Sequence, residues 1–126
     1  MQRNLKCLMI NPGEVPYEIT IPNTLKSKQK LVKGNIEYAY LEDREDVCFI
    51  CNEEGKILDM EPNRFIGYDI LCGPVALVGY NYEMGEDRSL TDDQIKYFKK
   101  RFGKDSIKET ENYIVALTIK EKDISI

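Results

Sequence analysis

Histidine is absent from this sequence of 126 residues. Its absence removes the side chain that most often acts as a general base or proton shuttle near neutral pH, and that often binds metals. The sequence also lacks a GxGxxG motif, a Walker A motif and a nucleophile elbow, so the common nucleotide-binding and hydrolase signatures fail. These absences favour a protein that is not an enzyme.

Long apolar runs are missing as well. No stretch approaches the roughly 18 consecutive apolar residues of a membrane-spanning helix, and residues 1–10 do not resemble a signal peptide. The net charge of −4 gives no general attraction to the phosphates of nucleic acids or to anionic lipids. We therefore expect a cytoplasmic protein that binds neither membranes nor nucleic acids in general.

The four cysteines could suggest a disulfide framework of a secreted protein, but the sequence shows no signal peptide, and they do not form a complete zinc site. Cys48 and Cys51 have CxxC spacing, but residues i and i+3 of a strand point to opposite faces, and no second pair supplies further ligands. A zinc or redox role stays open as an alternative. We predict no metal and no cofactor, and the favoured interpretation is a set of reduced, mostly buried thiols at Cys7, Cys48, Cys51 and Cys72.

Apolar periodicity predicts a single α+β domain over residues 1–126. Its main element is one mostly antiparallel sheet of about six or seven strands. Gly, Pro and Asn residues mark the ends of the individual strands. The clearest strands are at 5–10, 17–21, 36–41, 47–51, the second half of 70–79, and a C-terminal strand at about 112–120. The edge of this last strand, Tyr113–Ile119, could pair with a second copy, so a homodimer is an open prediction.

One short and one longer helix are predicted to pack against the sheet. Either Asn23 or Thr24 can cap the short helix, which is expected to end at Gly34. The longer helix begins at a capping box, covers residues 92–102, and points Ile95 and Phe98 into the core. The lysines of the short helix are expected to lie mostly outside, namely Lys26, Lys28, Lys30 and Lys33.

Four short motifs occur in a defined order: Ile-Pro-Asn-Thr-Leu at 21–25, Gly-Asn-Ile-Glu at 34–37, Asn-Glu-Glu-Gly-Lys at 52–56 and Pro-Asn-Arg at 62–64. In this order they resemble a small family of domains of unknown function. That family occurs in phages, plasmids and integrative elements, mostly of Firmicutes and related bacteria, often near antirestriction genes. The resemblance covers about residues 5–103. It implies a mobile-element context and transfers no catalytic or ligand-binding residue.

Four residues are candidates for binding a ligand or partner: Asn63, Arg64, Tyr80 and Tyr82. Arginine presents a planar fork for carboxylates or phosphates, and asparagine recognises bases or peptide groups. Tyrosines that flank a strand can stack a nucleobase or anchor a protein interface. The alternative is structural: Asn63 closes a turn, Arg64 pairs with a nearby acid, and the tyrosines pack at strand ends.

Three functions are compatible with these features. The leading hypothesis, which depends on the resemblance, is a non-catalytic binding protein of a phage or mobile element that modulates host machinery, for example by inhibiting a host defence protein. The second is a protein that sequesters a nucleotide-like small molecule in a pocket lined by tyrosines and Arg64. The third is an enzyme that uses Cys48 or Cys51 as a nucleophile, or carboxylates with a metal.

Overall fold

The computed structural model describes the backbone of residues 2–124 and the side chains of residues 2–120. Over these residues the protein has an α+β fold of eight strands and three helices. The strands are β1 (Asn4–Ile10), β2 (Tyr17–Pro22), β3 (Ile36–Ala39), β4 (Val47–Asn52), β5 (Pro62–Phe65), β6 (Ile70–Cys72), β7 (Val75–Asn81) and β8 (Glu86–Arg88). The helices are α1 (Leu25–Val32), α2 (Asp92–Arg101) and α3 (Lys104–Ile124).

Six of these strands form one antiparallel sheet. Five lie in the order β2-β1-β7-β4-β3, and β8 pairs with the end of β7. The strands β5 and β6 form a separate antiparallel pair. The predicted α+β fold with a mostly antiparallel sheet is confirmed, and β7 is the central strand that its apolar sequence predicted.

The central strands β4 and β7 are apolar on both sides because both faces of the sheet are covered. All six residues of β4 are buried. Cys48 and Ile50 belong to a cluster on the side of α1, which we call the α1 face. Val47, Phe49 and Cys51 belong to the opposite cluster, on the side of α2, which we call the α2 face. Cys48 and Cys51 thus point in opposite directions, as strand geometry predicted.

The α2 face is covered by α2 and by the β5–β6 hairpin. The predicted capping box is present. The hydroxyl of Thr91 accepts a hydrogen bond from the backbone N–H of Gln94, and the side-chain oxygen of Gln94 accepts one from the backbone N–H of Thr91. The helix buries Ile95 and Phe98 in the core, as predicted. Phe102 follows it, and its ring contacts Phe49 edge to face with centroids 5.3 Å apart.

The α1 face is covered by a helix of only eight residues. Of the two predicted caps, Thr24 caps this helix, but the helix ends at Lys33, which adopts the left-handed conformation at φ 64°. Gly34 does not end the helix, but it leaves space for a neighbouring side chain. A Cβ at this position would lie 2.7 Å from Nδ2 of Asn52, which donates to the carbonyl of Val32. The expectation of outward lysines is wrong for Lys28, which is buried.

The predicted C-terminal strand at 112–120 is wrong, because this segment lies within α3. The helix starts in the charged segment 104–112 and is fixed there by Thr110, whose hydroxyl accepts from the N–H of Phe65. Extending a helix costs far less than nucleating one, so the alternating apolar residues continue it. Pairing of copies through a strand edge at Tyr113–Ile119 is therefore excluded, and a homodimer stays a prediction.

The outer part of α3 has little packing. Tyr113 stacks on Phe65 with ring centroids 4.2 Å apart, whereas Val115 and Ile119 are each 57% exposed. Over residues 2–124, no helix combines the length and the apolar character needed to cross a membrane.

Candidate functional site

Arg64 lies in strand β5 and is completely buried. Its Nε and Nη2 donate to the carbonyl of Phe102 at 3.2 and 3.0 Å, and Nη2 also donates to that of Glu14 at 2.5 Å. Nη1 donates to the carbonyl of Asn63 and, more distantly, to that of Asn11. Burial lowers the pKa of Arg64, although a guanidinium remains charged at neutral pH. The charge is held by backbone dipoles at the end of α2 and in the β1–β2 loop.

Asn63 extends the same network. Its Nδ2 donates to the carbonyls of Ile10 and Gly73 at 2.8 and 2.7 Å, and its Oδ1 accepts from Arg64. Both residues therefore join strand β5 to the ends of other elements, and neither side chain reaches the surface. The structural alternative was wrong in detail: Asn63 lies in a strand rather than a turn, and no carboxylate pairs with Arg64 among the described side chains.

Tyr80 and Tyr82 lie elsewhere, at the end of β7 on the α1 face, and two further tyrosines meet them there. Tyr38 and its neighbour Tyr40 come from the end of β3, two strands away. The ring centroid of Tyr80 lies 5.6 Å from that of Tyr38, 6.3 Å from that of Tyr40 and 4.8 Å from that of Tyr82. Tyr40 and Tyr82 are 5.5 Å apart. We call these four residues the tyrosine surface.

The register of the sheet explains how the rings meet. Tyr38 of β3 and Tyr80 of β7 both pack on the α1 face, and Tyr40 and Tyr82 follow just beyond the ends of these strands. Strand β4 runs between the two pairs, and the residue it places there is the small Cys48, which is buried next to Val78.

A buried ion pair lies under one edge of the tyrosine surface. Lys28 of α1 and Asp87 of β8 are in contact, with Nζ 2.5 Å from Oδ2, and both side chains are almost inaccessible. The Tyr38 hydroxyl donates to both oxygens of Asp87 at 2.9 Å. Burial and then the Asp87 carboxylate raise the pKa of Tyr38 far above its ordinary value. The cluster fixes Tyr38 and leaves its phenol neutral.

The opposite edge is open to solvent. Tyr40 is 41% exposed and Tyr82 is 44% exposed, and burial raises the pKa of Tyr82 to about 12. The Tyr82 hydroxyl donates to the carbonyl of Val47 at 3.3 Å. Tyr68, 52% exposed, borders this edge by donating to the carbonyl of Tyr40 at 2.8 Å. Backbone carbonyls therefore hold the hydroxyls of Tyr82 and Tyr68 at this edge.

The thiols are placed as predicted, with Cys7, Cys48 and Cys51 buried and Cys72 partly exposed. Burial raises the pKa of Cys7 and of Cys51 to about 12, and that of Cys48 further, so these three are protonated at neutral pH. Among the described residues, no group of three or more Cys, Asp or Glu side chains is arranged to hold a metal ion.

Sequence reasoning found half of the tyrosine surface. It identified Tyr80 and Tyr82 but missed Tyr38 and Tyr40, although their two-residue spacing at the end of a predicted strand was a visible signal. Nothing local to the sequence marked Asp87, because its burial depends on β8 pairing with β7. The structure does not join the four predicted residues into one site: Asn63 and Arg64 are internal, and the tyrosines are at the surface.

The outcome of comparison with known proteins is limited to one family. No curated protein and no solved structure matches the chain. The model of the family described as Domain of unknown function (DUF3846) matches residues 5–103, from β1 to the residue that precedes α3. This range contains all of the sheet except Asn4, the hairpin, and every member of the tyrosine surface. The chain therefore belongs to the DUF3846 family.

Proposed function

We propose that this chain is a non-catalytic binding protein whose partner docks on the tyrosine surface. The observation that carries the proposal is the contact of four tyrosine rings at a solvent-exposed end of the sheet, with Tyr40 and Tyr82 accessible. Tyrosine is enriched at interaction hot spots because it has a large apolar area, a polar tip and few rotatable bonds. Because neighbouring groups already restrict these rings, their side chains lose little conformational entropy when a partner binds.

The shape of the site favours a macromolecular partner over a small molecule. A small ligand is usually enclosed by a concave pocket. The pocket expected from the sequence would need Arg64, whose three nitrogens all donate to internal oxygen atoms. The tyrosine rings instead lie at an open sheet end. The protonated state of the buried thiols argues in the same way against Cys48 or Cys51 as a nucleophile.

We further propose that the partner is a protein of the bacterial host and that the chain acts for a phage or mobile element, with inhibition of a defence protein as the specific hypothesis. The support is the mobile-element context that the sequence resemblance implies, which is associational.

The test is affinity capture from host lysate with three tagged proteins. They are the natural chain, a Tyr40→Ser/Tyr82→Ser variant, and a control Tyr17→Ser/Tyr97→Ser variant, which removes two equally exposed tyrosines elsewhere. A stoichiometric protein that is captured by the natural chain and the control, but not by the first variant, is expected. Equal capture by all three would refute docking on this surface. A copurifying small molecule, found by mass spectrometry without a protein partner, would support the sequestering alternative instead.

A further inference from the structure

The acidic loop between β3 and β4 contains four carboxylates with two different roles. Asp43 pairs with Arg101, at 2.8 and 2.9 Å, and Asp46 pairs with Arg44 and accepts from Gln94 at 2.7 Å. These two carboxylates fix the loop to α2. The other two, Glu42 and Glu45, are exposed, and no cation lies within 4 Å of either among the side chains that the structure describes.

The free carboxylates lie beside the tyrosine surface. Glu42 is two residues beyond Tyr40, and Glu45 is two residues before Val47, whose carbonyl binds the hydroxyl of Tyr82. Burial is the main cause of the raised pKa of Tyr82 and of Tyr68, and the charges of Glu45, for Tyr82, and of Glu42, for Tyr68, make small further contributions. A ligand in contact with the exposed rings would therefore enter the field of both carboxylates.

Neutral aromatic rings next to unpaired carboxylates recognise cations. The face of a tyrosine ring attracts a guanidinium or ammonium, and the carboxylate supplies a charge-assisted hydrogen bond at its edge. The protein already uses this arrangement internally: the guanidinium of Arg44 lies 5.0 Å from the ring centroid of Tyr97 and is bound by Asp46. The same charges repel phosphates, so a nucleic-acid partner does not fit here.

We propose that the tyrosine surface binds a protein segment that carries arginine or lysine, with the cation over the rings of Tyr40 and Tyr82 and paired with Glu42 or Glu45. This inference rests on the proposed function and names the chemistry of the partner. Arginine fits best, because its planar group stacks on a ring and presents two donors to a carboxylate.

The probe is a blocked hexapeptide of alternating glycine and arginine, compared with the same peptide carrying neutral citrulline. Binding is followed by NMR of the protein labelled in its eight tyrosine rings. The arginine peptide is expected to shift the signals of Tyr40 and Tyr82, while Tyr17 and Tyr113 serve as internal controls. Equal shifts with the citrulline peptide would overturn the role of the cation.

The carboxylates are tested with a Glu42→Gln/Glu45→Gln variant. Its matched control is Glu109→Gln/Glu111→Gln, which changes the net charge equally at exposed positions of α3. We expect the first variant to raise the Kd for the arginine peptide at least about threefold, as loss of two exposed charge contacts would. The control should leave it within about 1.5-fold at the same ionic strength. Equal effects of the two variants would overturn the assignment of Glu42 and Glu45.

Failure of this inference differs from failure of the proposed function. If the peptides do not bind but capture of the host protein still depends on Tyr40 and Tyr82, the docking surface stands and the cationic partner is refuted. If neither the peptide nor the captured protein depends on these tyrosines, both proposals fail.

Discussion

The two faces of the central sheet share the same strands but are completed in different ways. On the α2 face a ten-residue helix, the β5–β6 hairpin and the start of α3 cover an apolar cluster, and the buried Arg64 donates to carbonyls and to the neighbouring Asn63 side chain. On the α1 face an eight-residue helix covers a smaller cluster, and the end of the sheet presents tyrosine rings to solvent.

This difference separates stability from recognition. The α2 face satisfies its polar groups internally, so a change there mainly alters the free energy of unfolding. The α1 face keeps one buried ion pair and places its aromatic residues at an open edge, where a change alters what the surface can bind. Strand β4 links the two, because Cys48 and Cys51 point to opposite faces.

The largest expected effect is that of Arg64→Met. The substitution removes the donor to the carbonyls of Phe102, Glu14 and Asn63, of which Phe102 and Asn63 are buried residues, and each buried group left unsatisfied costs about 1–3 kcal/mol. We expect the free energy of unfolding to fall by about 4 kcal/mol, measured by urea denaturation. The control is Arg88→Met, at an exposed position, which should change it by less than about 0.5 kcal/mol. A small loss for Arg64→Met would contradict the structural role of the α2 face.

The next effect tests the ion pair of the α1 face. Asp87→Asn leaves the charge of Lys28 buried without a counter-ion, which we expect to cost about 3 kcal/mol of unfolding free energy. Adding Lys28→Met removes the stranded charge, while the amide oxygen introduced by Asp87→Asn can still accept a hydrogen bond from Tyr38. The double variant should therefore recover about 1–2 kcal/mol. The three variants are compared by urea denaturation. If the losses of unfolding free energy of Asp87→Asn and of Lys28→Met simply add in the double variant, the two residues are not coupled.

A smaller loss is expected for Tyr40→Ser/Tyr82→Ser. Because both rings are more than 40% exposed, their removal should lower the free energy of unfolding by only about 1 kcal/mol. The same variant is expected to lose partner binding, so function and stability would separate. A loss as large as that of Arg64→Met would show instead that the tyrosine surface is part of the core.

The smallest effect concerns the acidic loop that fixes α2. The hydrogen bond from Arg44 lowers the pKa of Asp46 to about 2. A carboxylate whose pKa is lower in the folded state stabilises the fold above its unfolded pKa of about 4 and loses this contribution as pH falls toward 2. For this half-exposed group we expect below about 1 kcal/mol.

The measurement compares the natural chain with Asp46→Asn by urea denaturation at pH 6, 4 and 2.5. The difference between them should shrink as the pH falls. The control Asp59→Asn, at an exposed position outside the helices, should show no such trend. A difference that stays constant with pH would exclude ionisation of Asp46 as its cause.

The sequence predicted those elements whose signals are local. The capping box and apolar spacing of α2, the cap of α1, and the apolar runs of β1, β4 and β7 all lie within about ten residues, and the structure confirms them. Strand β5 was missed because its buried residues are Asn63 and Arg64, and only distant carbonyls make their burial favourable. The segment after Gly103 was assigned the wrong period, because alternation of β-branched residues outweighed the helix-forming segment before it.

The tyrosine surface was only half predicted for a related reason. Tyr80 and Tyr82 lie at the end of an apolar strand and are conspicuous, whereas Tyr38 and Tyr40 lie at the end of a strand that is separated from them by β4. No short segment of sequence determines the order of strands in a sheet. Residues that come together only through this order therefore cannot be predicted from local sequence patterns.

The pairing of β1 with β7 also determines when the protein can fold. Leu8 lies opposite Leu77, so the first strand acquires its central neighbour only after almost the whole sheet has been synthesised. Closing so long a loop has a high entropic cost before any contact compensates for it, which makes folding slow relative to a helical protein of this size. Until β7 leaves the ribosome, the β1–β2 hairpin has an unpaired apolar edge. Until then, the newly made segment is open to chaperones and to aggregation.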